Sequence, residues 1–186
     1  GFMGNTSKLS GFGSTTHISI IDKWDNIFSV TTTNGEGCGH FIPEFGIMMN
    51  NMLGEQDLNP YGFHKWTIQR RLPTMICPTI ILKNNKPIYI LGSGGSNRIR
   101  SAITQVLLNL IIKKMSLRDA INAPRIHLEG QELYFEPGIN IPNDNYFNHI
   151  KMIPFEDKSL FFGGVNCVSP NEAIGDFRRG GIGEIF

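Results

Sequence analysis

The order of hydrophobic patterns along this 186-residue chain predicts an α+β or layered α/β domain. Two alternating, strand-like runs stand near the N-terminus. One long run of helical period occupies the middle, and short apolar runs follow it to the C-terminus. The length is enough for one domain with a real core, and no internal repeat or second hydrophobic core divides it.

The elements follow in order. Residues 1–14 are Gly/Ser-rich and read as a loop. Residues 16–22 and 27–33 read as two strands, and the polar Lys23-Trp24-Asp25-Asn26 between them suits a hairpin turn. Asn34-Gly35-Glu36-Gly37-Cys38-Gly39 is a Gly-rich loop, and residues 45–61 lack a clean period, so irregular structure with a short helical turn is expected. Residues 78–82 and 87–91 are apolar strands joined by Lys83-Asn84-Asn85-Lys86, a tight-turn sequence. In residues 97–115, Ile99, Ala102, Ile103, Val106, Leu107, Leu110 and Ile111 recur at helical spacing and predict one long helix with a broad apolar face. Ser116 followed by Asp119 opens a short helix that must stop before Pro124. Strands are then expected at 133–136, 149–155, 159–169 and 172–177, with a helical turn at 143–148.

Composition excludes several classes of function. Lys+Arg and Asp+Glu nearly cancel, 17 against 16, which argues against nucleic-acid binding. Cys38, Cys77 and Cys167 are far apart and odd in number, so neither a disulfide framework nor a zinc site is indicated. The five histidines have no metal-ligand spacing and read as surface or satisfied core residues. No apolar run is long enough to span a membrane, and no cofactor motif is present. No signal peptide is visible, but the chain begins without Met, so cytoplasmic and exported locations both stay open.

The chemistry concentrates in three places. Thr15 stands at the head of the first strand in Gly13-Ser14-Thr15-Thr16-His17-Ile18-Ser19, and Thr31 and Thr33 share a face of the second. If the two strands form a hairpin, Thr33 returns beside Thr15. Gly92-Ser93-Gly94-Gly95-Ser96-Asn97 forms a strand-to-helix turn whose N–H groups could cradle a developing negative charge. Two hydroxyls and a set of backbone donors are the minimum kit for acyl transfer. On the residues alone, a strand-edge Thr bonding locally and a tight turn capped by Ser96 or Asn97 remain the commoner readings. Asn50, Asn51 and Glu55 could bind a polar substrate or be ordinary turn residues. Arg178-Arg179-Gly180-Gly181 reads as a solvated turn.

Several motifs in order resemble the gamma-glutamyltranspeptidase family: Thr15-Thr16-His17-Ile18-Ser19, Val30-Thr31-Thr32-Thr33, Gly46-Ile47-Met48-Met49-Asn50-Asn51, Pro78-Thr79, the turn Gly92-Ser93-Gly94-Gly95-Ser96-Asn97-Arg98-Ile99, Ala123-Pro124-Arg125, and Asp176-Phe177-Arg178-Arg179-Gly180-Gly181. The resemblance runs from Thr15 to about Gly181. It implies the four-layer αββα sandwich of N-terminal-nucleophile hydrolases, with this chain as one intertwined half that cannot bury all its apolar surface alone. It implies a precursor that cuts itself between Ser14 and Thr15. Residues 1–14 would then be the tail of the large subunit or a precursor linker, and residues 15–186 the small-subunit catalytic domain. By family role Thr15 would be the nucleophile, Thr33 its hydroxyl partner, and the N–H groups of Gly94, Gly95 and Ser96 the oxyanion hole. Asn34, Asn51, Glu55 and Thr74 would bind substrate. No metal or other cofactor is implied. The partners would be the large subunit, in a heterodimer or a dimer of heterodimers, and a small amide substrate, with neither nucleic acid nor a membrane span in this chain.

The chain departs from the family pattern in its recognition residues. Met52 stands where Gln is usual, Glu55 where Asp is, and Thr74-Met75 where a Ser-Ser pair is. The turn reads Gly-Gly-Ser-Asn in place of Pro-Gly-Gly-Ser. The implied function is a self-processing amide hydrolase or acyltransferase. The alternatives are a same-fold acylase acting on a non-glutamyl amide, and a binding protein that neither processes nor catalyses.

Overall fold

The computed structural model describes residues 15–142 and 145–186. The expected loop at 1–14, with Ser14, lies outside the described residues, as do residues 143–144 of the expected helical turn.

Strands β1 (Thr15–Ile21) and β2 (Ile27–Thr33) form the expected hairpin. The Asp22 carboxylate closes its turn, accepting from Trp24 N–H, Asn26 N–H and the Asn26 amide. A small hairpin, β3 (Phe41–Ile42) with β4 (Ile47–Met48), follows, and its second strand lies in the stretch expected to be irregular. Single turns of 3₁₀ helix then occupy Met52–Gly54 and Gln56–Leu58.

Strands β5 (Thr79–Lys83) and β6 (Lys86–Gly94) pair through a turn in which Asn84 and Asn85 both take left-handed φ, 52° and 61°. That is the geometry a two-residue hairpin loop needs, and Asn tolerates it better than most residues. The central sheet is completed by β10 (Gly164–Ser169) and β11 (Glu172–Ile174), in the order β11-β10-β6-β5, with every pairing antiparallel. A further sheet joins β7 (Ile126–Glu129), β8 (Glu132–Phe135) and β9 (Lys151–Pro154).

Helix α1 (Arg98–Leu107) starts where expected, but it does not continue as regular α-helix to 115. Residues Leu108–Ile112 widen into a π-helical turn, and Lys114 at φ 56° ends it. Helix α2 (Leu117–Asn122) is capped by the Ser116 hydroxyl, which accepts from Asp119 N–H, and stops at Ala123, whose extended backbone suits a residue before proline. Two of the expected late strands are shorter. Residues 160–162 are a 3₁₀ turn rather than strand, and a second such turn, Phe177–Arg179, follows β11.

Ile99, Ala102, Ile103, Val106 and Leu110 pack with Leu117 and Ile121 onto Leu91, Val165 and Cys167 of the central sheet. Full burial of each Ile, Leu or Val contributes about 1.5–3 kcal/mol. The β1–β2 hairpin lies on the other face of β6. There the bare Cα of Gly92 receives the His17 ring and that of Gly94 receives Thr15. The layering is therefore helix, sheet, hairpin. The hairpin inverts the usual pattern: polar Thr15, His17 and Ser19 face inward, while Ile18, Ile20 and Phe28 are 47, 49 and 53% exposed.

Candidate active site

The hairpin register places Thr15 opposite Thr33 and His17 opposite Thr31. The Thr15 hydroxyl donates to Thr33 Oγ1 at 3.0 Å, and Gly35 N–H donates to the same oxygen at 3.1 Å. Both lone pairs of Thr33 are thereby engaged, which fixes its oxygen and, through it, the Thr15 oxygen.

Gly94 lies directly under Thr15, and a Cβ there would overlap the Thr15 carbonyl oxygen. The turn that follows is held in unusual backbone: Gly95 at φ 134° and Ser96 at φ 52°. A left-handed Ser is strained relative to Gly, and such outliers gather at functional sites. The Gly95 and Ser96 N–H groups donate to no other described residue. Their carbonyls open α1, accepting from Arg98 N–H and Ile99 N–H. The Ser96 hydroxyl donates to Asp57 Oδ2 at 2.7 Å, and Asn97 makes no side-chain cap, so neither residue caps the helix as expected. The Arg179 guanidinium approaches Gly95, and the Arg98 charge is close enough to lower the Arg179 pKa further after burial has done so. Two cations thus back two N–H donors that no described residue engages, an arrangement suited to holding an oxyanion.

His17 does not serve Thr15. Its ring is buried between the Thr31 and Ser19 hydroxyls, each 2.7 Å away, and burial pushes its pKa down to about 4. At neutral pH it is an uncharged spacer.

Three of the four expected substrate residues come together beside Thr33. The Asn34 carbonyl accepts from Asn51 N–H at 3.1 Å, and Asn51 Oδ1 accepts from Glu36 N–H at 2.7 Å. The bare Cα of Gly35 leaves room for Asn51 Oδ1 and Glu55 Oε1. Burial raises the Glu55 pKa, and the nearby charges of Glu36 and Asp57 raise it further. Three carboxylates so placed favour a cation. Thr74 does not join them: it is exposed, and its hydroxyl accepts from Ile76 N–H in a local turn. Among the described residues, no group of His, Cys, Asp and Glu is arranged to hold a metal ion.

Arg178 corrects the expectation of a solvated turn at 178–181. Its side chain is fully buried, paired with Glu136 at 2.6 Å and Asp176 at 3.3 Å, while Arg125 pairs with Asp176 at 2.6 Å. Arg125 also donates to the Phe162 and Gly163 carbonyls behind the turn. Burial works against the Arg178 charge, but the two carboxylates hold its pKa above the ordinary value. Two cations facing two anions make the cluster neutral, which is how four charges stay buried. Sequence offered one clue to this cluster, the Asp176-to-Gly181 motif, which an Arg pair in a Gly-rich run disguised as surface.

Comparisons with known proteins agree on one family. The model of the Gamma-glutamyltranspeptidase family matches residues 4–181. A glutathione hydrolase proenzyme of Bacillus subtilis (strain 168) is 32% identical over 174 residues, 89% of this chain and 29% of the relative. An acylase ACY 1 proenzyme of Pseudomonas sp. (strain SE83) is 36% identical over 138 residues, 72% of this chain and 25% of the relative. The chain thus spans less than a third of the length of these curated relatives. A gamma-glutamyltranspeptidase structure from Pseudomonas nitroreducens superposes with a TM-score of 0.75 at 22% identity, covering 92% of this chain and 99% of that one. The fold is that of the αββα N-terminal-nucleophile hydrolases.

Proposed function

The chain belongs to the gamma-glutamyltranspeptidase family, and from that premise we propose that it is the small-subunit region of a self-processing amide hydrolase or acyltransferase with Thr15 as nucleophile. The observation that carries this reading is the Thr15 hydroxyl, 3.0 Å from Thr33, beside a turn whose Gly95 and Ser96 N–H groups donate to no other described residue.

In the chain as written, Thr15 follows Ser14 in peptide linkage, the uncut form. Attack of Thr15 Oγ1 on the Ser14 carbonyl carbon would break the Ser14–Thr15 C–N bond and transfer the preceding chain to oxygen as an ester, the hydroxyl proton passing to the Thr15 nitrogen as it is released as an amine. Water would then hydrolyse the ester, leaving residues 1–14 with the large subunit and 15–186 as the small one. The new α-amino group, with a reference pKa of about 7.7–8.0, is partly unprotonated near neutral pH and serves as base. It takes the Thr15 hydroxyl proton as Oγ1 bonds to the substrate carbonyl carbon. The Gly95 and Ser96 N–H groups hold the oxyanion. The C–N bond breaks as the ammonium returns that proton to the leaving amine. Water or a second amine attacks the acyl ester, its proton passes to the α-amine, and the proton returns to Thr15 Oγ1.

A larger partner is part of the proposal. The chain spans 29% of the Bacillus subtilis proenzyme, yet it accounts for 99% of a separate chain in the Pseudomonas nitroreducens structure. The outward apolar face of the hairpin supports the same reading: Ile18, Ile20 and Phe28 form a surface that a large subunit would cover.

For substrate, Asn34, Asn51 and Glu55 are proposed to hold an acyl donor through an ammonium group. A second reading, an acylase for a non-glutamyl amide, is favoured by Met52 and by the 36% identity to the Pseudomonas acylase proenzyme. Turnover of γ-glutamyl-anilide beside other acyl-anilides separates the two. A rate at least tenfold higher on the γ-glutamyl compound supports the first, and the reverse supports the second. No turnover of any amide by protein that never splits would leave a binding protein.

A further inference from the structure

We propose that Ser93 is a positioning residue that aims the oxyanion-binding N–H of Gly95, an inference that rests on the catalytic reading above. Ser93 is 1% exposed and lies on the helix-side face of β6, opposite the face on which Thr15 sits over Gly94. Its hydroxyl donates to the Gly94 carbonyl oxygen at 2.9 Å and accepts from Gly164 N–H at 3.1 Å. One buried hydroxyl thus ties the end of β6 to the start of β10 and draws the Gly94 oxygen toward the helix side. The Gly94–Gly95 peptide is planar and trans, so its N–H points opposite to its C=O. Pulling the oxygen toward Ser93 turns the Gly95 N–H toward the Thr15 side, where it donates to no described residue. Without the tie, the Gly94 oxygen loses its side-chain anchor, and the two glycines allow the peptide a wider range of tilt than other residues would.

The neighbourhood is built for this contact. Gly163, at φ 78°, comes close enough that a Cβ would lie 3.0 Å from both the Gly94 oxygen and the Ser93 hydroxyl. A Cβ on Gly95 would lie 2.9 Å from Gly163 Cα. Arg125, within the buried ion cluster, donates to the Gly163 carbonyl at 3.4 Å and holds that segment in place. The hydroxyl therefore acts between two closely packed backbone segments.

The test is Ser93→Ala in the natural full-length protein, with Thr15→Ala and Ser93→Cys beside it. Steady-state kinetics on the best acyl-anilide and the thermal midpoint are measured for each. Removing an oxyanion donor costs about 10²–10³ in kcat, and misaiming one costs less, so Ser93→Ala should lose about tenfold to a hundredfold in kcat. KM should stay within about twofold, because the ground-state carbonyl is not gripped by that donor. Ser93→Cys, with a weaker donor, should fall between. Wild-type kcat in Ser93→Ala, or losses in kcat, KM and thermal midpoint that move together, would overturn the assignment. If Ser93→Ala does not fold, the same split in Ser93→Cys decides, with wild-type kcat overturning it. Failure of the underlying reading looks different: Thr15→Ala would then be as active as wild type, whatever Ser93 does.

Discussion

At Thr15 the proposed chemistry needs a hydroxyl held by Thr33 and an amine that exists only once the Ser14–Thr15 bond is cut. Thr15→Ala should abolish both processing and turnover, and Thr15→Ser should keep some of each. Thr33→Ala should slow both by about tenfold to a hundredfold, because it loosens the nucleophile's oxygen without removing it. Progress of cleavage on gels and anilide kinetics check all three, and unchanged rates in Thr33→Ala would remove its role. His17 gives a pH prediction. Its folded pKa of about 4 lies below the free value of 6.5, so between these pH values the unfolded chain takes a proton that the fold refuses. Stability is present above pH 6.5 and declines as pH falls toward 4, by on the order of 1–2 kcal/mol after discounting for solvent screening. Urea midpoints against pH should slope in wild type and flatten in His17→Gln, and parallel profiles would contradict this. Thr15 and Thr33 were legible as candidates because period-2 geometry and a hairpin bring them together. The neutrality of His17 was not, because it depends on the bare Gly92 against which the ring packs.

The two elements that meet at the site are the β1–β2 hairpin and the β6-to-α1 turn, and glycines let them touch. Gly94→Ala should push Thr15 off its position and cost about a hundredfold in kcat, since ångström-scale misplacement of reacting groups is that expensive. Gly92→Ala should drive a methyl into the His17 ring and lower the thermal midpoint more than it lowers kcat. Comparing both variants by melting and kinetics tests the distinction, and identical behaviour would refute it. The hairpins around 23–26 and 83–86, the strand-to-helix turn and the Ser116 cap were readable because each rests on local turn or capping chemistry. The π-helical turn at Leu108–Ile112 was not, because its side chains keep a helical period and only the tertiary fit widens the ring. The β3–β4 pair was missed because two-residue strands carry no period to detect. The 3₁₀ turn at Leu160–Phe162 is an apolar run, and periodicity alone cannot separate that from strand.

Across the whole molecule, a buried ion cluster and an uncovered hairpin face pull in opposite directions. Arg178→Leu would leave Glu136 and Asp176 facing a single cation, Arg125, and should destabilise the fold by about 3–5 kcal/mol. Urea denaturation measures it, and a loss below about 1 kcal/mol would mean the cluster is not coupled as described. The hairpin face should behave as an interface: Ile20→Glu with Phe28→Glu should weaken association of the two proposed subunits while the helix-and-sheet core still melts cooperatively. Arg178 was misread because sequence gives an Arg pair no hint of partners as distant as Glu136, which lies 42 residues away. If Thr15 becomes a new N-terminus and then acts through it, intact mass with N-terminal sequencing of the full-length protein after incubation, wild type beside Thr15→Ala, will show it. Wild type should yield a fragment beginning Thr-Thr-His-Ile-Ser, and Thr15→Ala should stay uncut. Cleavage at another bond, or a fully cut and active Thr15→Ala, would contradict it.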